Sequence, residues 1–224
     1  EGKRIGITDT LAGNKVIEDY IKPFRAHIDK DLDSALAFAT NPFTKSSTSL
    51  NTSIGNLMAD AVFELSNPIF KSRTGKDIDM VLLNHGGIRS DISKGNITAR
   101  TAYEIMPFNN IVVVAQLKGI YIKELIQYLQ LAKRAHPISK LKIKLDSNFE
   151  LIEATIKNKP IEDKDTYFVA TSDYLYNGGD KMTFFEKSDT LYVLDYKIRN
   201  LLIDYFKKVD TISPTIDDRF IQVK

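Results

Sequence analysis

Four short segments carry residues whose types and spacing suit ligand chemistry. In Leu83-Asn84-His85-Gly86-Gly87-Ile88-Arg89 an apolar run ends in an amide, two glycines and an arginine. Glycine lets a backbone take positive φ or approach a ligand closely, and arginine offers a planar fork of donors to a phosphate or carboxylate. In Met106-Pro107-Phe108-Asn109-Asn110 a proline fixes the backbone just before an aromatic in a polar loop, which suits a stacking platform for a planar ligand. In Asp173-Tyr174-Leu175-Tyr176-Asn177-Gly178-Gly179-Asp180 two tyrosines precede a Gly-Gly pair and a carboxylate that can accept from two adjacent hydroxyls. Asn51-Thr52-Ser53-Ile54-Gly55-Asn56-Leu57 leads into a helix carrying Asp60, and a helix N-terminus offers unpaired N–H groups to an anion. Each segment alone also has a plainer reading. These are a strand-end turn with a surface arginine, a core phenylalanine, a β-turn with a capping Asp, and ordinary helix capping.

The elements that must position these segments follow from hydrophobic periodicity. Val16, Ile17, Tyr20, Ile21 and Phe24 form one helical stripe, interrupted or kinked at Pro23, and Asp31–Thr40 reads as a second helix. Asn41–Thr52, rich in Ser, Thr and Asn, reads as a linker. A helix capped by Ser53 is expected to end at Asn67-Pro68. Strands are expected at Asp79–Leu83, Ile111–Leu117, Leu141–Leu145, Leu151–Ile156 and Tyr167–Thr171. Short helices are expected after Thr98 and Gly119, and a last one carries Ile198, Leu201, Leu202, Tyr205 and Phe206. Along Lys140, Lys142 and Lys144 the alternation predicts a solvated strand face. Helices and strands alternate without a regular βαβ period, which predicts an α+β fold with mixed sheets layered with helices and an N-terminal helical arm. The arm and linker would span residues 1–47 and the body 48–224.

Composition removes several function classes. The 224 residues contain no cysteine, so disulfides, zinc–thiolate sites and thiol nucleophiles are impossible. The only histidines are His27, His85 and His136; no H-E-x-x-H pattern, P-loop or Ser-His-Asp arrangement is evident. Neither His85 nor His136 is assigned a metal; a satisfied hydrogen bond is the simpler role for each. Thirty-one basic residues against 29 acidic ones argue against a nucleic-acid partner but leave room for a local basic pocket. No apolar run approaches the ~20 residues of a membrane span. All four methionines are internal and the chain opens at Glu1, which predicts a processed or trimmed product whose signal peptide has gone.

Taken together and in this order, the four segments resemble the C-terminal domain of the 5'-nucleotidases, two-domain nucleotide hydrolases related to bacterial UDP-sugar hydrolase. The resemblance rests on Ile54-Gly55-Asn56-Leu57 with Ala59-Asp60, on Leu83 to Arg89, on Met106-Pro107-Phe108 followed by Leu117-Lys118-Gly119, and on Asp173 to Asp180. It covers residues 48–224 and extends to a stand-alone form of Bacteroidetes-type bacteria with a helical arm. The resemblance implies that Phe108 and Tyr174 sandwich a base. Asn84 and Arg89 would hold the ribose or phosphate end, and Asp180 would accept from ribose hydroxyls. Gly86, Gly87, Asn177, Gly178 and Gly179 would shape the supporting loops. Family members usually carry Phe where Tyr174 stands, and an arginine where this chain reads Ser46-Ser47-Thr48-Ser49-Leu50-Asn51.

The resemblance further implies that hydrolysis belongs to a separate metallophosphatase domain holding two metal ions. No stretch here offers that domain's ligands, so this chain is expected to bind a nucleotide or nucleoside, to hold no cofactor, to be inactive alone, and to act with a metallophosphatase partner in the bacterial periplasm or cell envelope. Two alternatives remain at this point. One is a ligand-free interaction module with a degenerate pocket; the other is an autonomous metal-dependent phosphatase using Asp173, Asp180 or His85.

Overall fold

The computed structural model describes residues 11–46 and 49–223 together with Gly2, Arg4, Gly6 and Thr8. The chain divides into two compact units, residues 1–34 and 35–224. The boundary expected at 47/48 falls on Ser47 and Thr48, which, like Glu1, lie outside the described residues.

The first unit is built on helix α1 (Lys15–Asp33), capped by Asn14, whose Oδ1 accepts from the Val16 N–H at 3.0 Å. The helix runs through Pro23, and its stripe of Val16, Ile17, Tyr20, Phe24 and Ile28 is exposed. The expected second helix over Asp31–Thr40 is instead strand β1 (Ala35–Ala39). Its good helix formers yield to tertiary pairing. Ala37 and Ala39 are buried while Phe38 between them faces outward, a period of two that only a strand provides.

The second unit continues with α2 (Ser53–Thr74), β2 (Met80–Leu82), β3 (Gly95–Thr98), α3 (Ala99–Ile105), β4 (Ile111–Lys118) and α4 (Gly119–Ala132). Four short strands follow: β5 (Ile138–Ser139), β6 (Leu141–Leu145), β7 (Leu151–Ile156) and β8 (Lys159–Pro160). The chain closes with β9 (Thr166–Ser172), α5 (Asp173–Tyr176), β10 (Thr190–Lys197), α6 (Ile198–Lys208), β11 (Thr211–Ile212) and β12 (Phe220–Gln222). Three sheets form, with strand orders β11-β1-β3, β10-β4-β9-β2-β5 and β12-β6-β7-β8. Each mixes parallel and antiparallel pairs, as the α+β expectation requires.

The five-stranded sheet is covered on both faces. Val81, Val112, Val114 and Ala170 point into one apolar cluster, shared with α2 and α6. Leu82, Ala115, Leu117 and Val169 point into the other, shared with α4 and Phe184–Phe185. This two-sided burial is why β2, β4 and β9 read as mostly apolar runs rather than as alternating ones. On β6, by contrast, Leu141, Ile143 and Leu145 are buried while Lys142 and Lys144 are exposed, the solvated face expected there.

Helix α2 differs from expectation at both ends. Thr52, not Ser53, is its N-cap, with Oγ1 accepting from the Gly55 N–H at 3.2 Å; the Ser53 hydroxyl instead accepts from the Thr44 N–H at 3.0 Å. Nor does the helix stop at Pro68. It runs to Thr74 and closes on Gly75 at φ 72°. Pro68 removes one intrahelical donor, but Phe70, two residues on, is fully buried against Phe168 and Tyr192 at ring-centroid distances of 5.3 and 5.2 Å. That burial outweighs one lost hydrogen bond, by roughly 2–3 kcal/mol against about 1.

Strand topology sets where the site lies. β2 and β9 are parallel, and β4 is antiparallel to β9 with Val112 opposite Ser172. The loops leaving β2 and β9 and the loop entering β4 therefore emerge at one end of the sheet. The segment entering β5 joins them, because β5 is antiparallel to β2, and so does the start of α6.

Candidate functional site

At that end of the sheet lies a cleft of about 580 Å3, lined by Asn84, Gly86, Gly87, Arg89, Phe108, Asn109, Asn110, Asp173, Tyr174 and Asp180. It brings together Asn84, Arg89, Phe108, Tyr174 and Asp180, three loops apart in sequence. Phe108 and Tyr174 are 41% and 46% exposed, so both rings face the cleft rather than the protein interior.

Asp180 is the most constrained of these residues. It sits in the left-handed region at φ 52°, ψ 22°, just after Gly178 at φ 85°. A non-glycine residue holds that region at a cost unless its surroundings secure it. Three groups do so. Tyr174 Oη donates to Oδ1 at 2.9 Å, Asn84 Nδ2 donates to Oδ2 at 2.8 Å, and Tyr128 Oη donates to the Asp180 carbonyl at 2.9 Å. The hydrogen bond to Asp180 holds the Tyr174 phenol above its usual pKa. Each carboxylate oxygen keeps lone-pair capacity for a further donor.

The glycines make room for side chains of the site itself. Neither Gly86 nor Gly87 has a positive φ. A Cβ on Gly87 would fall 2.7 Å from Asn84 Oδ1, and one on Gly86 3.3 Å from Asn84 Nδ2. The turn His85–Gly87 thus folds around the Asn84 amide. At Gly179 a Cβ would fall 2.5 Å from both Tyr174 Cε1 and the Tyr174 carbonyl, so the ring lies on the bare Cα. Asn177 does not line the cleft. Its amide donates to the Asp173 carbonyl at 2.8 Å and closes α5.

Asp173 is committed to structure. Its Oδ1 accepts from Asn110 Nδ2 at 2.9 Å, the Ile111 N–H at 3.2 Å and the Tyr174 N–H at 2.9 Å, which ties the loop after β9 to the loop before β4. Arg89 is different. Its guanidinium carbon stands 5.9 Å from the Phe108 ring centroid, and Nη1 makes only a long 3.5 Å contact with the Gly86 carbonyl. It forms no ion pair among the described residues, which leaves its donor fork free for an anion.

Two positioning residues escaped the sequence reading. Arg199, at the start of α6, is only 9% exposed. It donates to the carbonyls of Pro107 and Phe108 at 3.3 and 3.4 Å and to Asn109 Oδ1 at 2.9 Å, while its guanidinium lies 4.2 Å from the Tyr103 ring centroid. It therefore holds the loop that presents Phe108. Tyr128, on α4, packs edge-on against His136 and Phe184, each at 5.8 Å, and steadies Asp180 from behind. Burial pushes His136 down to about 4, so it is a neutral imidazole at pH 7. Its Nδ1 accepts from the His85 N–H at 3.4 Å.

The segment leading into α2 lies elsewhere. The Asn51 amide donates to Asp217, Asn56 Nδ2 donates to the Thr215 carbonyl at 3.1 Å, and Asp60 pairs with Arg219 at 2.8 Å. None of these lines the cleft, and ordinary capping by Thr52 accounts for the helix end. Among the described residues, no group of three His, Asp or Glu side chains is placed to hold a metal ion, and no helix is long and apolar enough to cross a membrane.

Comparison with known proteins places this fold. Residues 33–187 match the family described as the 5'-nucleotidase C-terminal domain. A cell wall protein of Listeria monocytogenes, Lmo0130, is 29% identical over 171 residues, 70% of this chain and 21% of its own length. The trifunctional nucleotide phosphoesterase protein YfkN of Bacillus subtilis is 27% identical over 195 residues, 77% of this chain and 12% of its own. The solved 5'-nucleotidase precursor from Thermus thermophilus superposes with a TM-score of 0.77 at 22% identity, over 94% of this chain and 43% of that one. The chain thus spans 21% and 12% of the length of those two curated relatives. With the family pattern spread over most of its length and the expected fold beneath it, this chain belongs to the 5'-nucleotidase C-terminal-domain family.

Proposed function

We propose that the chain binds a nucleoside or nucleotide in the cleft between Phe108 and Tyr174 and presents its phosphate to a metallophosphatase domain in another part of the assembly. The observation that carries this reading is the convergence of two exposed rings, one unpaired arginine and one pre-set carboxylate on a single cleft. Stacking a base on such rings is worth about 1–3 kcal/mol per base. The Asp180 carboxylate, fixed by Tyr174 and Asn84, offers acceptor sites for two neighbouring hydroxyls of a ribose. Arg89 supplies a planar donor fork for a phosphate.

The same features speak against a ligand-free module, because a degenerate pocket would have let the rings pack inward. The chain's contribution is binding and orientation. Energy gathered on the base would place the phosphate for attack elsewhere, and any divalent metals would belong to the partner domain. A phosphoesterase among the relatives supports that reaction class, and a cell wall protein among them supports a location in the bacterial envelope. Ligand-observed NMR with adenosine, AMP and other nucleosides is the test. Saturation transfer to the base protons is expected, and silence across the panel with folded protein would refute the reading.

A further inference from the structure

His136 stands at the entry to β5, only 6% exposed, and lines no part of the aromatic cleft. Its backbone is pinned on both sides. Its N–H donates to the Arg134 carbonyl at 2.8 Å, and the carbonyl of Pro137 accepts from the Leu83 N–H at 2.9 Å. Farther along β5, Arg219 donates to the Ile138 carbonyl at 2.9 Å and Ser139 Oγ donates to Asp60 Oδ1 at 2.6 Å. The imidazole therefore has a fixed seat at the end of the sheet where the site loops emerge.

Two arms run from that ring to Asp180. The first leaves through Nδ1, which accepts from the His85 N–H at 3.4 Å. That bond holds the peptide following Asn84, and Asn84 Nδ2 donates to Asp180 Oδ2 at 2.8 Å. The second leaves through the ring itself. Tyr128 meets the imidazole edge-on at 5.8 Å, and its hydroxyl donates to the Asp180 carbonyl at 2.9 Å. One arm thus reaches the carboxylate and the other the backbone of the same left-handed residue. Burial, the first influence on the imidazole, pushes it down to about 4; a hydrogen bond with the Leu83 backbone and the Asp180 charge act the other way. The ring is neutral at pH 7, so one nitrogen is free to accept. Both arms need this residue type: phenylalanine has no acceptor, and an amide has no aromatic ring.

We propose that His136 is a positioning residue for the ribose half of the cleft, setting Asp180 from two sides through the Asn84 turn and through Tyr128. The base half is held by other groups. Arg199 donates to the Phe108 carbonyl, and Tyr174 keeps its ring on Gly179 and its N–H on Asp173. The assignment to a ribose rests on the nucleoside reading given above; the two-armed hold on Asp180 does not.

Two variants separate the arms. His136→Phe keeps an aromatic partner for Tyr128 and removes the acceptor, whereas His136→Asn keeps an acceptor and removes the ring. In isotope-labelled protein without ligand, the first is expected to shift the backbone amides of His85, Gly86 and Gly87, and the second those of Asp180 and Lys181. Both variants and the wild type are then titrated with adenine and with adenosine. Adenosine should bind about three- to tenfold more weakly to each variant, the scale of one hydrogen bond or one aromatic edge contact. Adenine, which has no ribose to place, should change by less than about twofold. Equal losses of adenine and adenosine, as a general loosening of the core would give, would overturn the proposal. So would adenosine affinity that survives in either variant. Failure of both ligands to bind folded wild type would defeat the nucleoside reading alone. The amide shifts then decide: both sets moving as described keeps the two-armed hold on Asp180, and either set unmoved overturns it.

Discussion

The Tyr174 hydroxyl donates a 2.9 Å hydrogen bond to Asp180 Oδ1, and the same tyrosine ring lies on the bare Cα of Gly179. One side chain therefore serves as stacking surface and as clamp on the carboxylate that would meet the ribose. Relatives with Phe at this position, as the family resemblance implies, would have the first role without the second. Replacing Tyr174 by Phe should cost nucleoside affinity no more than about 1 kcal/mol, the net worth of one exposed hydrogen bond. Tyr174→Ala should cost about 1–3 kcal/mol through the lost ring. Calorimetry on both variants checks this, and equal losses would separate the ring from the binding account.

Gly179→Ala places a methyl where the Tyr174 ring and carbonyl now sit, 2.5 Å from each. The ring must swing away and the loop backbone must shift with it, because the Tyr174 carbonyl cannot turn aside with the ring. Nucleoside binding should fall at least as far as in Tyr174→Ala, and the unfolding midpoint should drop as the loop rearranges. A variant that binds as tightly as wild type would show that the ring's present seat is not needed.

Arg199→Ala removes three hydrogen bonds to the Phe108 loop and the cation stacked on Tyr103. Leaving those partly buried acceptors unmet should destabilise the fold by about 1–3 kcal/mol in denaturant titration. Binding should weaken further at temperatures where the protein remains folded. Arg199→Lys should rescue little, because an ammonium cannot span the Pro107 and Phe108 carbonyls and the Asn109 amide as a planar fork does.

His136 sets a pH dependence of stability. Its folded pKa of about 4 lies below the ordinary 6.5, with burial the first cause. Between these values the unfolded chain binds a proton that the folded chain does not, so unfolding gains as pH falls. The contribution is fully present above pH 6.5 and is lost as pH drops toward 4, with a slope of at most about 1.4 kcal/mol per pH unit. Denaturant titrations at pH 7, 6 and 5 should show this loss, and His136→Gln should flatten it. An identical slope in the variant would place the dependence elsewhere.

Much of this was legible in the chain itself, and the exceptions have physical causes. β2, β4 and β9 stand out as apolar runs because both faces of their sheet are covered, and the site loops follow because each interrupts such a run with Gly, Pro, Asn or Asp. β1 was misread because Ala35-Leu36-Ala37-Phe38-Ala39 is rich in helix formers, and its strand state is imposed by β3 and β11 from distant parts of the chain. β10 went unread because, at a sheet edge, most of its residues are exposed and its pattern is faint. The glycines of the first loop were legible as tight spots but not as seats for Asn84. Arg199 carried no local signal, since its partners lie some 90 residues earlier.

The central claim is that a base lies between Phe108 and Tyr174. Calorimetric titration of adenosine into wild-type and Phe108→Ala protein tests it most directly. One saturable site is expected in the wild type, weakened by about 1–3 kcal/mol in the variant with the unfolding midpoint unchanged. Equal affinity in the two proteins, or no binding to a folded wild type, would contradict it.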